Sequence, residues 1–185
     1  MGTIAGPKVG LVCATSRQGS TSMKLLSCYE QILHQRHGVF SETLDLALLP
    51  SDFLTSVLYQ PSKSSHPEWQ LWQEKVDALD VLVFVIPEYN GSYPGILKAF
   101  IDALAFPRSL QGKRAAMIGL SDGTQGAALG MAHFADVLNY AGAVALPLRP
   151  RLIQINRYME GDQLVHEPYL RLLEQHADSL MALLR

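Results

Sequence analysis

Apolar runs alternate with helix-period segments from one end of this chain to the other, and few architectures accept that alternation. Strands that recur with an amphipathic helix between them read as βαβ units, which build a parallel sheet covered by helices. The strand runs are Lys8 to Cys13, Ser41 to Leu46, Val81 to Ile86, Arg114 to Leu120 and Ala143 to Leu148. The helical patterns cover about Met23 to His37, Pro67 to Leu79, Pro94 to about Phe106, Gly126 to Tyr140, and Pro168 onward. Gly38 follows the first helix where a left-handed cap is usual. VLVFVI at 81–86 is apolar without a break, which predicts a central strand buried on both faces.

Five such units in 185 residues predict one α/β domain over 1–185. The expected architecture is a flavodoxin-like doubly wound sheet, five parallel strands in the order 2-1-3-4-5 with helices on both faces. Hydrophobic residues make up 48% and charged residues 17%, enough apolar side chain to offset the entropy of ordering, which excludes a disordered chain. A net charge of -2 lacks the basic excess that a phosphate backbone demands, so no nucleic-acid partner is expected. No run approaches the ~18 apolar residues of a membrane span. The start, MGTIAGPKVG, lacks a signal-peptide pattern, and a cytoplasmic protein is expected. Cys13 and Cys28 fall in a strand and a helix and read as reduced core packing.

In a doubly wound sheet of this order, ligands bind beyond the carboxyl ends of strands one and three, where the order reverses. The loops at Ala14 to Ser22 and Pro87 to Pro94 should therefore lie side by side. The first, ATSRQGSTS, offers the hydroxyls of Thr15, Ser16, Ser20, Thr21 and Ser22 and the charge of Arg17 just before a helix. Helix N-termini attract anions, so this is a phosphate cradle or, more plainly, a solvated loop with a helix cap. It is neither a GxGxxG turn nor a GxxxxGK[ST] loop. The second, PEYNGSYPG, concentrates turn formers and is expected to leave the N–H groups of Glu88, Tyr89 and Asn90 free to face a planar heterocycle.

Four other features invite competing readings. Gly119, Ser121 and Gly123 spell the G-x-S-x-G of a hydrolase elbow, with Asp162 and His166 or His176 following in hydrolase order. His34 and His37 are spaced as metal ligands but lack a third. The stretch from Pro50 to His66 has no period, as a lid would. Trp69 and Trp72 share a helical face with Val76 and read as core.

On the loop residues, the chain resembles the NADPH-dependent FMN reductase family of flavodoxin-like flavoproteins, which includes azo, quinone and chromate reductases. The family's G-S-x-R-x-x-S is matched by Ala14, Thr15, Arg17 and Ser20. Its longer P-E-Y-N-x-S-x-P-G-x-L-K-x-x-I-D is matched in full from Pro87 to Asp102, and the resemblance spans roughly Lys8 to Tyr140. It implies FMN as cofactor, with Thr15, Arg17, Ser20, Thr21 and Ser22 around the phosphate and Pro87, Glu88, Tyr89 and Asn90 along the ring. Ser121, Asp122 and Gly123 would form a third flavin-side loop. The departures are Ala14 for Gly, Thr15 for Ser and Ala99 for Asn; the methyl of Ala14 can hinder close backbone approach to a phosphate.

The activity implied is reduction of a small acceptor (quinone, azo compound, free flavin or metal oxyanion) by NADPH or NADH through ping-pong hydride transfer. No catalytic side chain is named, since the flavin carries the redox chemistry. The alternatives are a flavodoxin-type electron carrier, usually far more acidic, and the serine hydrolase. A homodimer or dimer of dimers is expected, because Ile96, Leu97, Phe100, Ile101, Leu104 and Phe106 spread apolar surface wider than one sheet face can cover.

Overall fold

Val81, Val83 and Val85 of β3 (Val81–Pro87) turn to one face of a parallel sheet while Leu82, Phe84 and Ile86 turn to the other, as strand pleating requires. The computed structural model describes residues 6–184; Met1 to Ala5, the start of the segment without a signal-peptide pattern, lie outside the described residues, as does Arg185. β3 pairs on either side with β1 (Val9–Cys13) and β4 (Arg114–Leu120). Adding β2 (Ser41–Asp45) and β5 (Val144–Ala145) gives the expected order β2-β1-β3-β4-β5. The valine face packs on α1 (Thr21–His37) and α5 (Glu167–Leu183). The other face packs on α2 (Pro67–Ala78), α3 (Gly95–Ala103) and α4 (Ala128–Tyr140).

Several boundaries differ from the pattern, each for a local reason. α1 starts at Thr21, because Ser20 is its cap and accepts the Met23 N–H at 3.3 Å. α3 stops at Ala103 rather than Phe106, since Pro107 disfavours helical backbone in the residue before it. α4 starts at Ala128, because Gly126 and Ala127 hold φ of +58° and +57°. The fifth strand is cut short at Ala145, since Pro147 and Pro150 have no N–H to give a ladder; β6 (Arg151–Leu152) rejoins β4 further along. A two-stranded hairpin of β7 (Met159–Glu160) and β8 (Gln163–Leu164), too short to show a period, precedes α5.

Pro50 to His66 is not a loose cover. It coils into short helical turns at Phe53–Val57 and Pro61–Ser65. Phe53 and Val57 are buried, with Phe53 against Trp69 at a centroid distance of 5.5 Å and Trp69 edge-on to Phe100 at 6.1 Å. Tyr59 donates to Asp102 at 2.7 Å and Lys63 to the Ala103 carbonyl at 3.1 Å, fastening the segment to α3. These contacts correct the argument for a partner helix: Leu97, Phe100, Ile101 and Leu104 are buried within the chain, and of that set Phe106 alone is widely exposed, at 67%. His37 pairs with Asp178 at 2.9 Å and His34 lies against Phe40, and no group of three or more side chains placed to hold a metal occurs among the described residues. Both cysteines are free thiols, and no described helix is long and apolar enough to cross a membrane.

Between α1 and α5, Tyr29 and His176 share a buried hydrogen bond of 2.7 Å, and Nε2 of His176 has no partner among the described residues. Burial pushes the imidazole down to about 4, against 6.5 unfolded. Protons therefore bind the unfolded chain first as pH drops, and this group's contribution to stability is lost between 6.5 and 4 at about 1.4 kcal/mol per pH unit. Urea midpoints at pH 7 and pH 5 should fall more in the parent than in His176→Gln; equal falls would show that His176 is not the titrating group.

Candidate functional site

Four loops meet beyond the carboxyl ends of β1, β3, β4 and β6 around a cavity of about 250 Å³. Depressions of about 440 and 540 Å³ at the opposite end of the sheet face helix C-termini, which repel anions. In the first loop, Arg17, Ser20, Thr21 and Ser22 line the cavity together with Gln18 and Gly19. Gly19 holds φ +62°, and the N–H groups of Gln18, Gly19, Thr21 and Ser22 make no hydrogen bond within the described residues. Unpaired donors at a helix N-terminus with a guanidinium beside them have the chemistry to receive an anion. Underneath, Cys13 lies 3.8 Å from Ser20, and burial pushes its thiol up to about 11, so it stays neutral below an incoming anion.

Thr15 is placed differently from the other hydroxyl residues. It is fully buried, 2.6 Å from the Tyr89 hydroxyl, and accepts the Arg17 N–H at 3.2 Å. Its hydroxyl clamps the first loop to the second rather than facing the cavity. Ala14 is also fully buried, its methyl in the core on the α2, α3 and α4 side of the sheet and its N–H on the Val85 carbonyl, so it does not crowd the cradle.

Pro87, Glu88 and Tyr89 line the second wall. The expectation of three free N–H groups here is overturned. Glu88 N–H extends the β3–β4 ladder to the Leu120 carbonyl at 3.0 Å, and Tyr89 N–H closes a turn on Ser92 at 2.9 Å. Asn90 and Gly91, at φ +50° and +75°, form the two-residue tip of that turn, and their N–H groups make no hydrogen bond within the described residues; Asn90 is exposed outside the cavity lining. The Glu88 carboxylate accepts the Ala127 N–H at 3.0 Å and so fixes the third loop.

In that third loop Ser121 and Asp122 line the cavity with Leu120, whereas Gly123 does not. Ser121 donates to the Gly123 carbonyl at 3.1 Å and accepts the Gly126 N–H at 2.9 Å, so its hydroxyl is committed to the turn. Asp162 pairs with Lys24, His176 with Tyr29, and His166 stacks on Tyr158, which leaves no hydrolase triad. Gly119 has a packing reason instead, since a Cβ there would overlap the Gly126 carbonyl. The fourth wall, Ile155 and Asn156, lies in a segment with no sequence period.

The family model described as NADPH-dependent FMN reductase matches residues 7–149. An NAD(P)H-dependent FMN reductase of Pseudomonas aeruginosa is 38% identical over 74 residues, covering 39% of this chain and 40% of that protein. A 2-hydroxy-1,4-benzoquinone reductase of a Burkholderia species is 34% identical over 112 residues, covering 54% and 61%. The matches thus span less than two thirds of these relatives. Among solved structures, the flavoenzyme NAD(P)H:(acceptor) oxidoreductase of Paracoccus denitrificans superposes with a TM-score of 0.77 at 26% identity, over 96% of each chain.

The second loop is held from behind by α4, where a Cβ on Gly130 would lie 2.8 Å from backbone atoms of Ser92 and Tyr93. In an open helix Gly→Ala gains up to about 1 kcal/mol; here backbone must move, and Gly130→Ala should cost about 1 to 3 kcal/mol. Urea denaturation of the pair checks the sign.

Proposed function

Since the chain belongs to the NADPH-dependent FMN reductase family, we propose that it binds FMN at the four-loop cavity and reduces a small acceptor with NADPH or NADH. Quinones, azo compounds, free flavins and metal oxyanions are the acceptor class. The observation that carries this reading is the cradle: unpaired N–H groups of Gln18, Gly19, Thr21 and Ser22 with Arg17 alongside fit a doubly charged phosphate. FMN, when bound, supplies the ring that takes up and passes on hydride. The protein's own part is to bind and orient. Ser20, Thr21 and Ser22 would present the helix N-terminus to the phosphate, and Pro87, Glu88 and Tyr89 would border the ring. Thr15 would set the spacing between those two contacts through Tyr89. Ser121 is held in its turn, so no serine nucleophile is required.

An acidic flavodoxin-type carrier is the weaker reading at a net charge of -2. The same family reading carries a cytoplasmic homodimer or dimer of dimers. Its support in the chain is the exposed Phe106 and Tyr140 pair, stacked at 5.8 Å, which sedimentation over a concentration range tests.

Arg17 is exposed and makes no side-chain hydrogen bond or ion pair within the described residues. Arg17→Ala should lose a charge-assisted bond of roughly 1.5 to 3 kcal/mol, an FMN affinity weaker by about 10- to 150-fold, with unchanged stability in the flavin-free protein. Fluorescence titration with FMN measures it, and parent-like affinity would remove Arg17 from the site. Donor and acceptor are expected to use one place beside the ring in turn, so initial rates with NADPH and a quinone should give parallel double-reciprocal lines; intersecting lines would reject the shared place.

A further inference from the structure

The cavity's fourth wall lies beyond the stretch matched by the family model, and it is bolted in place. Gln154 N–H donates to the Gly123 carbonyl at 2.9 Å, and Ile155 N–H to the Ser121 carbonyl at 3.1 Å. The Tyr169 hydroxyl on α5 takes both backbone groups of Ile153, accepting its N–H at 3.1 Å and donating to its carbonyl at 3.0 Å. Gln154 sits at φ +48°, a conformation that side chains resist and that persists where surroundings enforce it. The enforced bend carries the chain across to the first loop. There the Thr21 hydroxyl donates to Oδ1 of Asn156 at 2.9 Å.

That bond settles what each partner can offer a ligand. Thr21 has spent its one hydroxyl proton, so it cannot also donate through that group to an anion. Asn156 has its oxygen occupied by Thr21 and its two N–H donors unbonded within the described residues, while its side chain lines the cavity beside the helix N-terminus. We propose that Asn156 is a phosphate-binding residue of the flavin site and that Thr21 is the positioning residue that turns its amide toward the phosphate. The inference rests on the FMN reading above.

The test titrates flavin-free protein with FMN and with riboflavin, which lacks the phosphate. Asn156→Ala should weaken FMN by about 5- to 30-fold, and Asn156→Asp, which sets a carboxylate beside the phosphate, by about 100-fold or more. Riboflavin should change less than about two-fold in both. Thr21→Val should weaken FMN by about 3- to 10-fold in the parent and by less than about two-fold on top of Asn156→Ala. Thr21→Ser keeps the hydroxyl and should bind FMN like the parent. Parent-like FMN affinity in both Asn156 variants overturns the proposal. So does equal loss for FMN and riboflavin, which would place Asn156 elsewhere on the flavin, and an undiminished Thr21→Val effect in Asn156→Ala overturns the relay. A parent that binds neither flavin overturns the FMN reading and this inference together.

Discussion

A strand that is apolar on both faces has to be covered on both, and β3 sets that demand for the whole molecule. Val81, Val83 and Val85 require α1 and α5, whereas Leu82, Phe84 and Ile86 require α2, α3 and α4. Parallel neighbours follow, because each strand must return through a helix on one face or the other. Crossing over on opposite faces from β1 and from β3 then opens a crevice at their carboxyl ends. The N-terminus of α1 delivers its unpaired donors into that crevice. The cavity is thus a consequence of burying six side chains in the centre of the sheet.

Within the crevice, the loops hold one another before any ligand arrives. Thr15 ties the first to the second at 2.6 Å, Glu88 ties the second to the third at 3.0 Å, and the carbonyls of Ser121 and Gly123 tie the third to the fourth. Each tie spends a group that could otherwise have touched a ligand. Among the groups that stay available are the donors of the first loop, the aromatic ring of Tyr89, the carboxylate of Asp122 and the amide of Asn156, so preorganisation and selectivity come from the same bonds.

The sequence made the sheet legible because VLVFVI and the cap at Gly38 report burial and backbone geometry directly. The cradle was legible too, since hydroxyls, Gly19 and Arg17 gather before a helix, and nine of the twelve residues expected at the site line the cavity. Thr15, Asn90 and Gly123 lie outside that lining. A pattern of residue types cannot say which hydroxyl or N–H is already spent: Thr15 on Tyr89, and Glu88 N–H on Leu120. Ile155 and Asn156 carried no signal at all, because a four-residue helical turn has no period. Pro50 to His66 misled in the opposite direction, since helical turns of five residues bury Phe53 and Val57 without amphipathic spacing.

The broken fifth strand explains how the fourth wall reaches the site. An unbroken β5 would pair along β4 and project its following loop straight past the sheet edge. Pro147 and Pro150 have no N–H to give, so the chain leaves β4 after Leu146, whose N–H still reaches the Ala115 carbonyl at 2.7 Å, and returns at Pro150, whose carbonyl accepts the Gly119 N–H at 2.9 Å. Returning there sets Leu152 beside Leu120, and its carbonyl takes the Ser121 N–H at 3.0 Å. The next residues lean on the third loop, and Gln154 bends left-handed to follow it toward α1. The hairpin and the Tyr158, His166 and Tyr169 rings behind it brace that bend, with Tyr169 bonded to Ile153. A defect in the edge strand thereby couples the α1–α5 face of the core to the mouth of the cavity.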